Sequence, residues 1–260
     1  MDFSLSEEQQ LLKDSVDRFV REEYELDKRR TLVASAEGYS EDNWAKMAEL
    51  GWLGASLPEE YGGYGGGAVE TMVVMEAFGR GLVVEPYFAS VVMGGNFLTH
   101  GGEEAVKQDL LPKLAEGKLK MAFAYAEKQA RYDLHDVEFK AEKSGDGYVL
   151  NGEKGVVFHA ASADKIIVSA RTSGGSRDEK GITVFLVDAG ADGLSSRDYP
   201  TVDGLRASEL TFSNVAAEVV LGDVDNGLSL METVVQHGIA AISAEAVGCM
   251  DVLLDTTNEY

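Results

Sequence analysis

The 260-residue chain has one cysteine, four prolines, four histidines and few cations, and each scarcity closes off a class of function. A single cysteine, Cys249, forms neither an internal disulfide nor a cysteine-based zinc site. Its setting, AEAVGCMDVLL, reads as a small buried apolar residue on a helix. His100, His135, His159 and His237 lie far apart without H-E-x-x-H or paired-ligand spacing, so no metal centre is expected. No G-x-S-x-G elbow is present, which leaves serine-hydrolase chemistry without a nucleophile. Lys and Arg number 23 against 45 Asp and Glu, a formal net charge of -22. A polyanion partner needs clustered cations that release counterions, so nucleic acid is not expected. A phosphorylated small molecule stays possible, because a local pocket of backbone N–H groups can outweigh global charge. No 18 apolar residues run together, and MDFSLSEEQQ lacks the basic and apolar regions of a signal peptide. The expectation is a cytoplasmic protein with no membrane partner.

What is present is ordinary globular composition, 45% hydrophobic and 26% charged, which argues against disorder. Residues 1–119 read as helices. Ser6 and Gln9 make a capping box, followed by Leu11, Leu12, Val16, Phe19 and Val20 at helical spacing. Ser40 caps a second helix with Trp44, Met47 and Leu50 on one face, and Gly51 ends it. Further helical runs fall at about 69–80, 88–99 and 103–116. From 120 to 223 the period changes to short β-rich runs: Val137–Glu142, Tyr148–Leu150, Gly155–Phe158, Lys165–Arg171, Ile182–Val187 and Glu209–Phe212. Gly145-Asp146-Gly147 and Asn151-Gly152 are turn signals, the second suiting a two-residue hairpin loop, and Ser173–Arg177 reads as a mobile hairpin tip. Strands with no helix between them predict an antiparallel barrel or sandwich. From 224 to 260 helical periodicity returns. The chain is therefore expected to be multi-domain α+β: a helical domain, a middle β domain, and the first helix of a C-terminal helical domain whose remainder lies outside this sequence.

Gly62–Gly67 with Ala68 spells G-x-G-x-x-A, but LPEEY precedes it instead of an apolar strand, so it reads as a flexible connection between helices. Together with Glu49-Leu50-Gly51-Trp52, the segment Pro58-Glu59-Glu60-Tyr61-Gly62-Gly63 resembles the interhelical link of the acyl-CoA dehydrogenase family. FSLSEEQQLLKDSVDRFV, LPKLAEGKLKMAFAYAE, NGEKGVVFH and GDVDNGLSLM follow that family's order along the chain, most like the small subunit of pimeloyl-CoA-type dehydrogenases.

The resemblance implies a FAD-dependent enzyme that removes the α proton of an acyl-CoA thioester while the β hydrogen leaves as hydride to flavin, giving a trans-2-enoyl-CoA. It also implies an oligomer, homomeric or with another dehydrogenase subunit, and an electron-transfer flavoprotein as acceptor. Its flavin contacts fall on Phe123, Tyr125, Ala126, Arg131, Tyr132, Val156, Val157 and Phe158. Departures are concentrated there. The family's Thr-Glu-Pro-x-Ala-Gly-Ser-Asp puts its Thr on Ala126, its Pro on Lys128 and its Gly-Ser on Arg131-Tyr132, while Asp133 is retained. In the second motif the Trp falls on Val156 and the Thr on Phe158. Two lost hydroxyls remove hydrogen bonds worth roughly 0.5–1.5 kcal/mol each, and the bulk of Arg131 and Tyr132 is expected to narrow the flavin groove. In the minority of members whose base is on the helix after the β domain, that Glu and the next Arg match Gly238 and Ile239. Glu245, about two turns on, is set aside, so the sequence offers no matching proton acceptor. A structural or CoA-binding subunit without redox chemistry is the alternative reading.

Overall fold

The computed structural model describes residues 4–217 and 219–259; Met1–Phe3, Glu218 and Tyr260 lie outside the described residues, as do the expectations that touch them. α1 (Glu7–Glu23) opens with the expected reciprocal Ser6–Gln9 capping box and buries Val16, Phe19 and Val20. Leu11 sits on its solvent face, 69% exposed. A short α2 (Leu26–Val33), not foreseen, buries no residue, which is why it lacks a periodic signature. Ser40 caps α3 (Glu41–Glu49), accepting from the Asn43 amide at 3.1 Å. Trp44 and Met47 face inward, whereas Leu50, just past the last turn, is half-exposed.

The glycine-rich stretch is a held loop, not a flexible one. The amides of Gly63, Tyr64, Gly65 and Gly66 donate to the carbonyls of Pro58, Gly54, Leu57 and Ala55 at 2.9–3.1 Å. A Cβ on Gly63 would come within 2.1 Å of the Leu57 carbonyl oxygen, so the backbones touch only because side chains are absent. α4 (Ala68–Gly81) follows, then a π-helical segment (Phe88–Gly95) that continues into α5 (Asn96–Gly101), and α6 (Glu104–Ala115). The wide π turn carries Ser90, whose hydroxyl accepts from the Met121 amide at 2.9 Å and donates to the Met121 carbonyl at 3.1 Å. That pair ties the helical part to the first strand.

Eight strands form one sheet: β1 (Met121–Ala124), β2 (Lys140–Ser144), β3 (Gly147–Phe158), β4 (Lys165–Arg171), β5 (Ile182–Asp188), β6 (Leu194–Pro200), β7 (Arg206–Ala217) and β8 (Val219–Leu221). Their order is β6-β7-β3-β2-β4-β5-β8, with β1 added against β4. Most pairs are antiparallel, as expected, but β1–β4 and the single β2–β4 pairing are parallel. β6 was not foreseen, since none of its residues is fully buried. Asn151 and Gly152 do not form the hairpin loop. The turn is Gly145-Asp146, with Ser144 opposite Gly147, and Gly145 supplies the left-handed φ of 60° that such a turn needs. Asn151 and Gly152 instead lie inside β3 at a register shift against β7, where the Asn151 side chain accepts from the Asn214 amide at 2.8 Å. Residues 173–177 are held by hydrogen bonds from the Arg171 guanidinium to the Ser176 carbonyl and from Ser173 to Asp225.

α7 (Gly227–Glu259) runs back over the helical part. Its backbone meets that of α4 directly: a Cβ on Gly248 would lie 1.9 Å from the Glu76 carbonyl oxygen, and one on Gly79 would lie 2.0 Å from that of Glu245. Cys249 is half-buried at this contact and donates to the Gly79 carbonyl at 3.2 Å. By length and mean hydropathy α7 would suffice to cross a membrane, although no run of 18 apolar residues occurs in it; its small residues Gly238, Ala241, Ala244 and Gly248 are buried. The opposite face leaves Ile239, Ile242, Met250 and Leu253 exposed.

Candidate active site

Parallel strand β1 is buried along its whole length and ends in an aromatic series. Phe97 packs on Phe123 with centroids 4.5 Å apart, and Phe123 stacks on Tyr125 at 5.2 Å and 26°. Tyr125 is the outermost ring, 39% exposed. Past it the chain leaves the sheet, and a single carboxylate holds the departing segment. Glu127 accepts from the amides of Glu138 and Phe139 at 2.9 and 3.1 Å, from Gln129 Nε2 at 2.9 Å, and from Lys154 Nζ at 2.7 Å.

Lys154 lies wholly buried in β3. Its ammonium also donates to Ser169 Oγ at 3.1 Å and the Tyr125 carbonyl at 3.2 Å, and stands 5.0 Å from the centre of the Phe139 ring. Desolvation lowers its pKa to about 8, with Glu127 opposing that fall. A buried pair survives only when its remaining donors and acceptors are satisfied, and here backbone groups do most of that. The consequence is geometric. Lys154 and Glu127 fasten the end of β1 to the middle of β3.

The fastening exposes the next residues of β3. Gly155 donates to the Ala126 carbonyl at 2.9 Å, and the register against β7 shifts between Lys154 and Val157. Val156 takes a left-handed φ of 51°, costly for a β-branched residue. Val156 and Phe158 emerge 47% and 40% exposed on either side of buried Val157. The Gly155–Ala126 hydrogen bond sets the two segments side by side, and Tyr125, Ala126, Val156 and Phe158 on them are here called the shelf, with Phe123 and Val157 buried next to them. Arg131 and Tyr132 are not part of it. They line a separate open hollow with Asp136 and Arg177. Arg131 adopts φ 51°, a conformation natural to glycine, and Tyr132 is 97% exposed, so neither side chain narrows the shelf as its bulk suggests.

Toward α7, Phe158 borders a cavity of about 250 Å³ whose wall includes His159, Glu85, Phe88, Ile242 and Glu245. His159 is buried at φ 57°; its amide donates to the Arg206 carbonyl at 2.9 Å, but its Nδ1 has no partner among the described residues. Desolvation lowers its pKa to about 4. Glu85 is equally buried, and desolvation raises its pKa to about 7. Gly238 is buried one turn before Ile242; a Cβ there would lie 2.8 Å from Met93 Sδ, so no carboxylate enters from that position.

A second cavity, about 450 Å³, opens between Gly65–Ala68, the π-helical segment and α7. The fold brings His100 and His237 together there, rings stacked at 5.5 Å, though they are far apart in sequence. Among the described residues no group of three or more His, Cys, Asp or Glu could hold a metal.

The shelf presents apolar residues half-open to solvent beside the Lys154–Glu127 pair. Ala126 and Phe158 carry no side-chain donor, so at these two positions hydrogen bonds can come only from backbone. Sequence reading named Tyr125, Ala126, Val156 and Phe158 but not the Lys154–Glu127 pair. Both residues stand within the matched motifs, yet nothing linear says that they meet.

Comparison with known proteins identifies the family and the fold. Residues 6–118 match the family model "Acyl-CoA dehydrogenase, N-terminal domain", and residues 122–215 match "Acyl-CoA dehydrogenase, middle domain". The chain is 34% identical over 265 residues to the mitochondrial isovaleryl-CoA dehydrogenase of Pongo abelii, covering 98% of this chain and 62% of that one. Among solved structures, a glutaryl-coenzyme A dehydrogenase in complex with glutaryl-CoA superposes with a TM-score of 0.92 at 28% identity, covering 100% of this chain and 68% of the other. The FAD complex of PigA superposes at 0.87 with 27% identity, covering 100% and 70%. The chain thus spans about two thirds of the length of these proteins.

Proposed function

Because the chain belongs to the acyl-CoA dehydrogenase family, whose members are FAD-dependent, we propose that it acts in α,β-dehydrogenation of an acyl-CoA thioester to a trans-2-enoyl-CoA. The observation that carries this reading is the shelf of Tyr125, Ala126, Val156 and Phe158, held open by the Lys154–Glu127 pair. These residues would hold the flavin, whose ring, when bound, accepts the hydride that leaves the β carbon. The chain's own part is positional. The shelf keeps water from one ring face, and backbone amides near Ala126 and Phe158 stand where the family's hydroxyls would be.

The α proton needs another acceptor. Gly238 and Ile239 carry no carboxylate, so the base in this reading comes from a partner subunit or from a further helical region. The exposed row Ile239, Ile242, Met250 and Leu253 suits burial by either. An electron-transfer flavoprotein is the proposed acceptor, and the cytoplasm the proposed compartment. The lost hydroxyls are the one observation on the side of a non-catalytic CoA-binding subunit; relatives named as dehydrogenases weigh against it.

The test is the visible absorption spectrum of the purified protein, alone and co-expressed with another dehydrogenase subunit. Flavin bands in either preparation, bleached by an acyl-CoA, would support the reading. A colourless protein in both would refute it.

A further inference from the structure

The cavity beside Phe158 is mostly apolar but holds polar groups that an alkyl chain does not call for. Glu85 and Glu245 line it, Asp203 stands at its exposed rim, and neither Lys nor Arg is among its described lining residues. Two of its polar side chains are more than nine-tenths buried and each leaves an atom without a partner among the described residues: Glu85 Oε2 and His159 Nδ1. Buried acceptors without donors are costly, and native proteins keep them where something supplies the donor. The rings of Phe88 and Phe158 are part of the wall, and an aromatic face attracts cations. Arg29, which reaches Asp203 from α2, is spent on the carbonyls of Leu82 and Asp203 at 2.6 and 2.7 Å.

We infer that this cavity receives the protonated amine of an amine-bearing acyl group, with Glu85 and Glu245 as counter-charges and Phe88 and Phe158 against the alkylammonium. The inference rests on the proposed function in one respect, that Phe158 borders the place of the reacting acyl carbons. A volume near 250 Å³ admits a short chain, so the amine sits within a few carbons of the thioester. Desolvation, which raises the pKa of both Glu85 and Glu245, is the state expected of carboxylates awaiting a cation.

The experiment is calorimetric titration of the 260-residue protein with n-butylammonium and, separately, with n-butanol. The expected result is at least tenfold tighter binding of the ammonium, weakened at least fivefold by Glu245→Gln and by Glu85→Gln. Glu245 is only half-buried, so E245Q keeps the fold if E85Q does not. E153Q, an exposed carboxylate elsewhere, should change nothing. Equal binding of butanol, indifference to both cavity variants, or an equal loss in E153Q would overturn the inference, the last by reducing it to the protein's overall negative charge. In the flavin-loaded protein, bleaching by butyryl-CoA but not by 4-aminobutyryl-CoA would likewise overturn it while leaving the dehydrogenase reading intact. Bleaching by neither would sink the dehydrogenase reading alone.

Discussion

Replacing Glu85 by glutamine should uncover an acid sensitivity that the unaltered protein conceals. Burial raises the Glu85 pKa to about 7 from 4.5, and lowers that of His159 to about 4 from 6.5. Between pH 4.5 and 6.5 the folded protein carries a proton on Glu85 and none on His159; the unfolded chain carries the reverse. The two states bind the same number of protons at this pair, so its contributions to the slope of stability against pH cancel. In E85Q only His159 is left. A depressed folded pKa gives stability that is present above 6.5 and lost as pH falls through 4, at about 1.4 kcal/mol per pH unit, or about 3 kcal/mol in all.

H159Q should show the opposite. A raised folded pKa gives stability that is fully present below 4.5 and lost as pH rises through 7, again about 3 kcal/mol. Glu245, also raised by desolvation, adds to this slope in the same direction. Groups common to all three proteins drop out of the differences. Urea midpoints followed by far-UV circular dichroism at half-unit steps from pH 4 to 7.5, at constant ionic strength, give the profiles. Parallel profiles for E85Q and the unaltered protein would refute the reasoning, because they would mean that Glu85 is not desolvated as its burial indicates; parallel profiles for H159Q and the unaltered protein would do the same for His159.

Other outcomes follow from the same contacts. Lys154→Met should lose about 3 kcal/mol by strand-anchor disruption, read from the urea midpoint, and adding Glu127→Gln should cost less than Glu127→Gln does alone, because the uncompensated partner is already gone. Gly248→Ala should lose about 3 kcal/mol of stability by forcing α4 and α7 apart, whereas Gly67→Ala, with nothing within 4 Å of its Cβ, should stay within about 0.5 kcal/mol. Arg131→Gly should raise thermal stability by about 1 kcal/mol through relief of its left-handed backbone, measured as an upward shift in Tm.

Much of the fold was legible because its signals are local. The Ser6 capping box, the Ser40 cap and the apolar run of β4 each depend on neighbours within a few residues, and the structure places them where periodicity does. What was not legible is two-dimensional. Asn151-Gly152 has the composition of a hairpin loop, yet β7 pairs across it, and a bulge absorbs the glycine instead. β6 has no buried face to announce it, and α2 has none either. The same limit applies to the site. Apolar residues at 123–126 and 156–158 could be matched to a flavin-facing pattern one by one. That Glu85 and His159 line one cavity with Phe158 could not, since their positions are 74 residues apart and the wall is completed by residues from α4, the π-helical segment, the stretch before β7 and α7.

The substitutions fall unevenly, and the unevenness carries the argument. Residues that hold the backbone are kept: Glu127 and Lys154 fasten β1 to β3, Ala130 is buried under the loop, and Arg131, though not glycine, still takes the glycine-like φ. Residues that would offer side-chain donors to a flavin are replaced, at Ala126 and Phe158. Drift in an idle domain would erode both sets together, because an unneeded loop has no reason to keep a buried ammonium that costs several kcal/mol to desolvate. In the proposed function, retention of the support with loss of the donors keeps the shelf's shape in use and leaves its hydrogen bonding to other groups. Backbone amides at the shelf and the polar atoms of Glu85 and His159 in the cavity beyond Phe158 are among the polar groups that the structure puts near it.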